Sequence, residues 1–135
     1  MNITELKKLV LDPEEPLQDC LYFAGMQEWY VDDDLERLRK DKSCQCAVGR
    51  LIAGLPDTEA LRVMSLLRDN NRNSEPISRP NSVMREISRV LTTHYGISPS
   101  QLYKLQREND GAPDGAHRKN RVSKALAEFE AELES

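Results

Sequence analysis

Residues 82–107 read SVMREISRVLTTHYGISPSQLYKLQR, and this run constrains the fold more than any other. In its first half Val83, Ile87, Val90, Leu91 and His94 fall on one helical face. Gly96 ends that helix, because glycine takes the positive φ of a helix C-terminus without a Cβ penalty. Two residues later the next helix begins. Ser98 is an N-cap, Pro99 suits the first helical position, and Gln101 completes a capping box. Leu102 and Leu105 then point one way, while Ser100, Gln101, Tyr103, Lys104 and Arg107 lie elsewhere around the helix. The spacing predicts two helices meeting at a large angle through a tight glycine turn.

The rest of the chain has the same period. ITELKKLVL repeats Ile3, Leu6 and Val10 and stops at Asp12-Pro13. PLQDCLYFAGMQEWYV reads as a buried helix broken or thinned near Gly25, and VDDDLERLRKDK as a helix capped by Asp32 or Asp33. CAVGRLIAGL reads as a short packed helix or tight connector, in which Gly49 and Gly54 permit close backbone contact. Residues 57–69 form a helix with Asp57 and Thr58 as cap candidates, and a long Asn-, Ser- and Pro-rich loop follows, either mobile or functional. The expected fold is all-α, a small helical bundle containing a helix-turn-helix. The expected organisation is an acidic helical region at 1–55, a helix-turn-helix region at 56–110, and a linker with an amphipathic C-terminal helix at 111–135.

Charge divides the chain. Charged residues make up 31% and apolar ones 39%, which suits a folded soluble protein with a modest core. The net charge of −4 hides a balance of −6 over residues 1–60, +6 over 61–124 and −4 over 125–135. The middle of the chain is suited to an anionic partner and the first sixty residues repel one. No apolar run reaches the roughly 20 residues of a membrane span, and the N-terminus lacks the pattern of a secretory signal. No membrane partner and a cytoplasmic location are the expectations.

Residues 88–107 resemble the twenty-residue helix-turn-helix unit of bacterial and phage DNA-binding proteins, with 57–69 as the preceding support helix. Gly96 stands at the turn, and Leu91, Tyr95, Ile97, Leu102 and Leu105 match the apolar positions that lock the two helices. The resemblance implies binding of duplex DNA, with Ser98, Pro99, Ser100, Tyr103, Lys104 and Arg107 at the groove-facing positions. It departs from the family at Thr92, where Ala is usual; a β-branched polar residue there sets the helices slightly apart. The chemistry is compatible. An α-helix fits the major groove, Arg107 can make two hydrogen bonds to guanine, Gln101 two to adenine, and Ser98 and Ser100 serve several base edges. Tyr103 and Lys104 can hold phosphates, as can Arg79, Arg85 and Arg89 on the preceding loop and helix. The role implied is that of a transcriptional regulator or another phage- or plasmid-type DNA-site binder.

The C-terminal helix, expected over 118–134, places Val122, Leu126, Phe129 and Leu133 on one stripe. Its charges run backwards for an isolated helix, with Arg118, Lys119, Arg121 and Lys124 at its start and Glu128, Glu130, Glu132 and Glu134 at its end. An antiparallel partner helix corrects this. The expected partner is a second copy, giving a homodimer through Val122, Leu126, Phe129 and Leu133, and the alternative is docking on the chain's own domain. A non-enzymatic interaction or inhibitor protein, engaging a host protein through the acidic region and this helix, is the alternative function. The residues offer no catalytic triad, phosphate loop or metal set at suitable spacing, so neither an enzyme nor a cofactor is expected. Cys20, Cys44 and Cys46 read as free thiols.

Overall fold

The computed structural model describes residues 3–11, 35, 46–70 and 76–134, apart from the side chains of 133 and 134. Among the described residues the chain is all-helical, a small bundle of six helices: α1 (Ile3–Val10), α2 (Ala47–Ala53), α3 (Asp57–Asp69), α4 (Ser82–Tyr95), α5 (Pro99–Asp110) and α6 (Gly115–Glu134). The helices expected over 16–42, with Asp32 and Asp33, lie outside the described residues except for Leu35, which is helical and buried. Cys20 and Cys44 lie outside them as well.

Local chemistry sets most boundaries. Asn81 accepts a hydrogen bond from the Met84 amide at 2.9 Å and starts α4. Gly96, at φ 67° and ψ 30°, stops it. At the start of α5 the Ser98 hydroxyl accepts from the Gln101 amide at 3.1 Å, and Gln101 Oε1 accepts from the Ser98 amide at 2.9 Å. Pro56, without a side-chain cap bond, precedes α3, so Asp57 falls inside that helix and complements its positive end. The C-terminal helix begins three residues earlier than the periodicity predicts. Asp114 accepts from the His117 amide at 2.9 Å and so carries the start back to Gly115.

One apolar core joins all six helices and so runs through all three regions expected from the sequence. Leu6 and Val10 of α1 meet Leu51 and Ile52 of α2 in it, and Leu102 and Leu105 of α5 join Leu126 and Phe129 of α6. Two glycine-dependent features matter here. Gly96 occupies the left-handed region, and Gly54 lets α1 and α4 close over the end of α2: a Cβ there would lie 2.6 Å from Leu9 Cδ2 and 2.8 Å from the Tyr95 hydroxyl. That hydroxyl donates to the Leu51 carbonyl. Arg50, only 1% exposed, donates from Nη1 to the Val10 carbonyl at 2.7 Å, placing a cation at the negative end of α1.

The α5–α6 contact is the most extensive between helices. As the α5 partner advances from Gln101 through Lys104 and Glu108 to Gly111, the α6 partner falls back from Glu132 through Glu128 to Arg121. The two helices are antiparallel neighbours. This corrects the expectation that Val122, Leu126 and Phe129 form a surface for a second copy. They are 0%, 0% and 1% exposed in the chain's own core. The side chain of Leu133 lies outside the described set. The antiparallel partner that the reversed charges require is α5 of the same chain.

Two stability measurements follow. Gly96→Ala forces a Cβ into the left-handed region and should cost about 1–2 kcal/mol in urea unfolding. Leu126→Ala removes a fully buried side chain and should cost about 2–5 kcal/mol. A loss under 1 kcal/mol for Leu126→Ala would contradict its place in the core.

Candidate nucleic-acid interface

The face that the sequence assigns to an anionic partner is carried by α5, the residues before α4, and α4 itself. Ser98, Pro99, Ser100 and Arg107 are exposed, whereas Tyr103 and Lys104 are half-buried. Ser100, Tyr103, Lys104 and Arg107 fall on one side of α5, opposite Leu102, Leu105 and Asn109. Tyr103 lies with its ring partly against the core. Arg79 and Arg85 are exposed, and with Arg107 they have no ion-pair partner among the described residues.

The segment before α4 is fixed to α5. Ile77 is buried, and its amide donates to Gln106 Oε1. Gln106 thus bridges the stretch that carries Arg79 and the middle of α5. Asn109, fully buried, extends the same kind of link to α2: its Oδ1 accepts from the Ala47 amide at 3.1 Å, and its carbonyl accepts from Arg118 Nε at 3.0 Å.

Other expected site residues are engaged inside the protein. Arg89 grips Glu86 through two hydrogen bonds, at 2.6 and 3.1 Å, and Arg62 of α3 reaches the same carboxylate at 2.7 Å. Hydrogen bonding and charge from Arg89, with Arg62 adding to the charge, hold the Glu86 carboxyl below its ordinary range, and the hydrogen bond and charge of Glu86 in turn raise Arg89. Gln101 uses its amide oxygen in the cap and donates from Nε2 to Glu132 Oε2 at 2.8 Å. Reading adenine with that side chain therefore requires giving up both bonds. Lys104 is paired with Glu128 of α6, and this hydrogen bond is the main reason that the Glu128 carboxyl is lowered.

One further expectation changes. His94, placed by periodicity on the apolar face of α4, is exposed and stands edge-on to Tyr95, with ring centroids 4.8 Å apart. Thr92 is half-buried and donates its hydroxyl to the Arg89 carbonyl at 3.2 Å. Its polar atom is satisfied by its own helix.

What the sequence reading missed at this face is the pair Glu128 and Glu132. Four residues apart, they share one side of α6 and match Lys104 and Gln101, three apart on α5. The signal was present in the reversed charges of α6, but charge order does not say which helix supplies the complement. Cys46 also takes an unassigned role. Its Sγ accepts from the Gly49 amide at 3.3 Å and caps α2, and burial pushes its thiol up to about 12. Among the described residues no His, Cys, Asp and Glu cluster is able to hold a metal, and no helix is long and apolar enough to cross a membrane.

No family model, curated protein or solved structure matches this chain.

Two measurements check the electrostatics. Glu86 and Glu128 have lowered carboxyls, as does Asp114, which accepts from the His117 amide and ring. A carboxyl depressed in the folded state stabilises it above the unfolded value, and this stabilisation is lost as pH falls through the folded value. The thermal midpoint should therefore drop as pH falls below about 4, and Glu86→Gln should flatten that acid limb. An unchanged acid limb in Glu86→Gln would show that its pairing is absent in solution. Separately, iodoacetamide at pH 8 should leave Cys46 unlabelled until the chain is denatured, as read by peptide mass spectrometry.

Proposed function

We propose that this chain binds duplex DNA, with α4, the Gly96 turn and α5 acting as a helix-turn-helix and the outward side of α5 entering the major groove. The observation that carries the reading is the face itself. A helix begun by a capping box after a left-handed glycine turn presents Ser98, Ser100 and Arg107 to solvent, with Arg79 and Arg85 exposed on the preceding segment and helix. Arg107 has the reach and the free fork for a guanine edge. Arg79, Arg85, Lys104 and Tyr103 have the chemistry for phosphate. The biological role that suits such a reader is transcriptional regulation or the marking of a DNA site.

One observation favours the second reading, a non-enzymatic interaction protein. Acids of α6 already engage Lys104 and Gln101, and Arg89 is held by Glu86, which lowers the positive charge available for phosphate. The two readings separate by substitution. Arg107→Ala should weaken the preferred duplex by about 1–3 kcal/mol and relax one position of the site. Arg85→Ala should weaken all duplexes similarly and flatten the salt dependence by about one unit. Full DNA affinity in both variants, with the helical content intact, would exclude the α5 face and favour the interaction protein.

A further inference from the structure

We propose that the acidic end of α6 is a built-in competitor for the duplex, occupying the edge of α5 until phosphates displace it. The inference rests on the DNA-binding reading and specifies how that site is regulated. Glu128 holds Lys104, and Glu132 accepts from Gln101 Nε2 at 2.8 Å, so two carboxylates lie along the first two turns of α5. A duplex phosphate asks for the same donors and is repelled by the same carboxylates.

The geometry favours exchange of side chains over undocking of the helix. Leu126 and Phe129 are buried beneath the acids, and Glu130 on the other flank of α6 pairs with Lys7 of α1 at 2.8 Å. The backbone of α6 is thus held from two sides. The pair to be exchanged is only partly shielded, with Lys104 32% and Glu128 42% exposed. Surface pairs of this kind are weak and screened by salt, so a phosphate is able to replace one. The consequence is a gain in discrimination. A duplex that also satisfies Arg107 stays bound longer and displaces the acids more fully than one that offers phosphates alone.

The test compares two substitutions that change the net charge equally on the same helix. Glu128→Gln removes the competitor from Lys104; Glu130→Gln removes a carboxylate that faces α1. Affinity of the full-length chain for a mixed-sequence duplex is measured by fluorescence anisotropy over a range of salt, with wild type and Arg107→Ala in parallel and circular dichroism as a check on folding. Glu128→Gln should bind about three- to tenfold more tightly at low salt and steepen the salt slope by about one unit, the release of one further counterion. Glu130→Gln should change affinity by less than twofold, and Glu132→Gln should follow Glu128→Gln in direction. Equal gains from Glu128→Gln and Glu130→Gln, or no gain from either while Arg107→Ala still weakens binding, would overturn the competitor and leave the DNA reading standing. No binding by wild type or any folded variant would overturn both.

Discussion

The antiparallel pairing of α5 and α6 is the contact on which the rest of this structure depends. Each helix carries its charges in an order that disfavours it alone. The bases of α6 lie at its start and its acids at its end, while α5 carries Glu108 and Asp110 in its last turn. Set antiparallel, the acidic end of one lies beside the basic start of the other, as Arg121 and Glu108 show at 2.9 Å. The exposed pairs contribute little individually, about 0–1 kcal/mol each, so they set register and direction. The apolar stripe beneath them supplies the stability. Once α6 is docked, Lys7 of α1 reaches Glu130, Asn109 of α5 meets the start of α2, and Arg118 ties the α6 start to the Asn109 carbonyl.

The pairing also divides the surface of α5. One side holds Leu102, Leu105 and Asn109 in the core, and a second, with Gln101, Lys104 and Glu108, is taken by α6. What remains outward is a strip with Ser100 and Arg107, edged by Tyr103. A major-groove reader needs few side chains on such a strip, provided the helix is rigidly placed. The capping box and the Gly96 turn fix one end of α5, and Gln106 and Asn109 hold the other half. Val122, Leu126 and Phe129 lie in the interior and add nothing to the surface of α6.

Much of the fold was legible because its signals are local. Gly96, Ser98, Pro99 and Gln101 act on backbone groups within four residues, and the end of α4 and the start of α5 follow from them, whereas Asn81, which starts α4, was not read as a cap. The start of α6 was missed because Asp114 stands in a Gly- and Pro-containing stretch that reads as a break, although Asp is a strong cap. Cys46 was missed as a cap because sulfur is a weak acceptor and Cys is rarely considered there. The partner of α6 was not legible for a different reason. An amphipathic stripe states that a surface must be covered, and tertiary packing alone decides by what. At the candidate site the exposure of Ser100 and Arg107 follows from helical phase, whereas the loss of Gln101 and Lys104 to α6 depends on partners 31 and 24 residues away in sequence.

We propose that the outward strip of α5 is the surface that meets duplex DNA. Backbone amide chemical shifts of the intact, isotope-labelled chain, followed through a titration with a mixed-sequence duplex, locate that surface directly. The account predicts that the largest changes fall on residues 97–107, with smaller ones near Arg79 and Arg85, while amides of α1 and α2 stay in place. Changes centred on the first sixty residues or on the solvent side of α6, or none at all with duplex in excess, would contradict it.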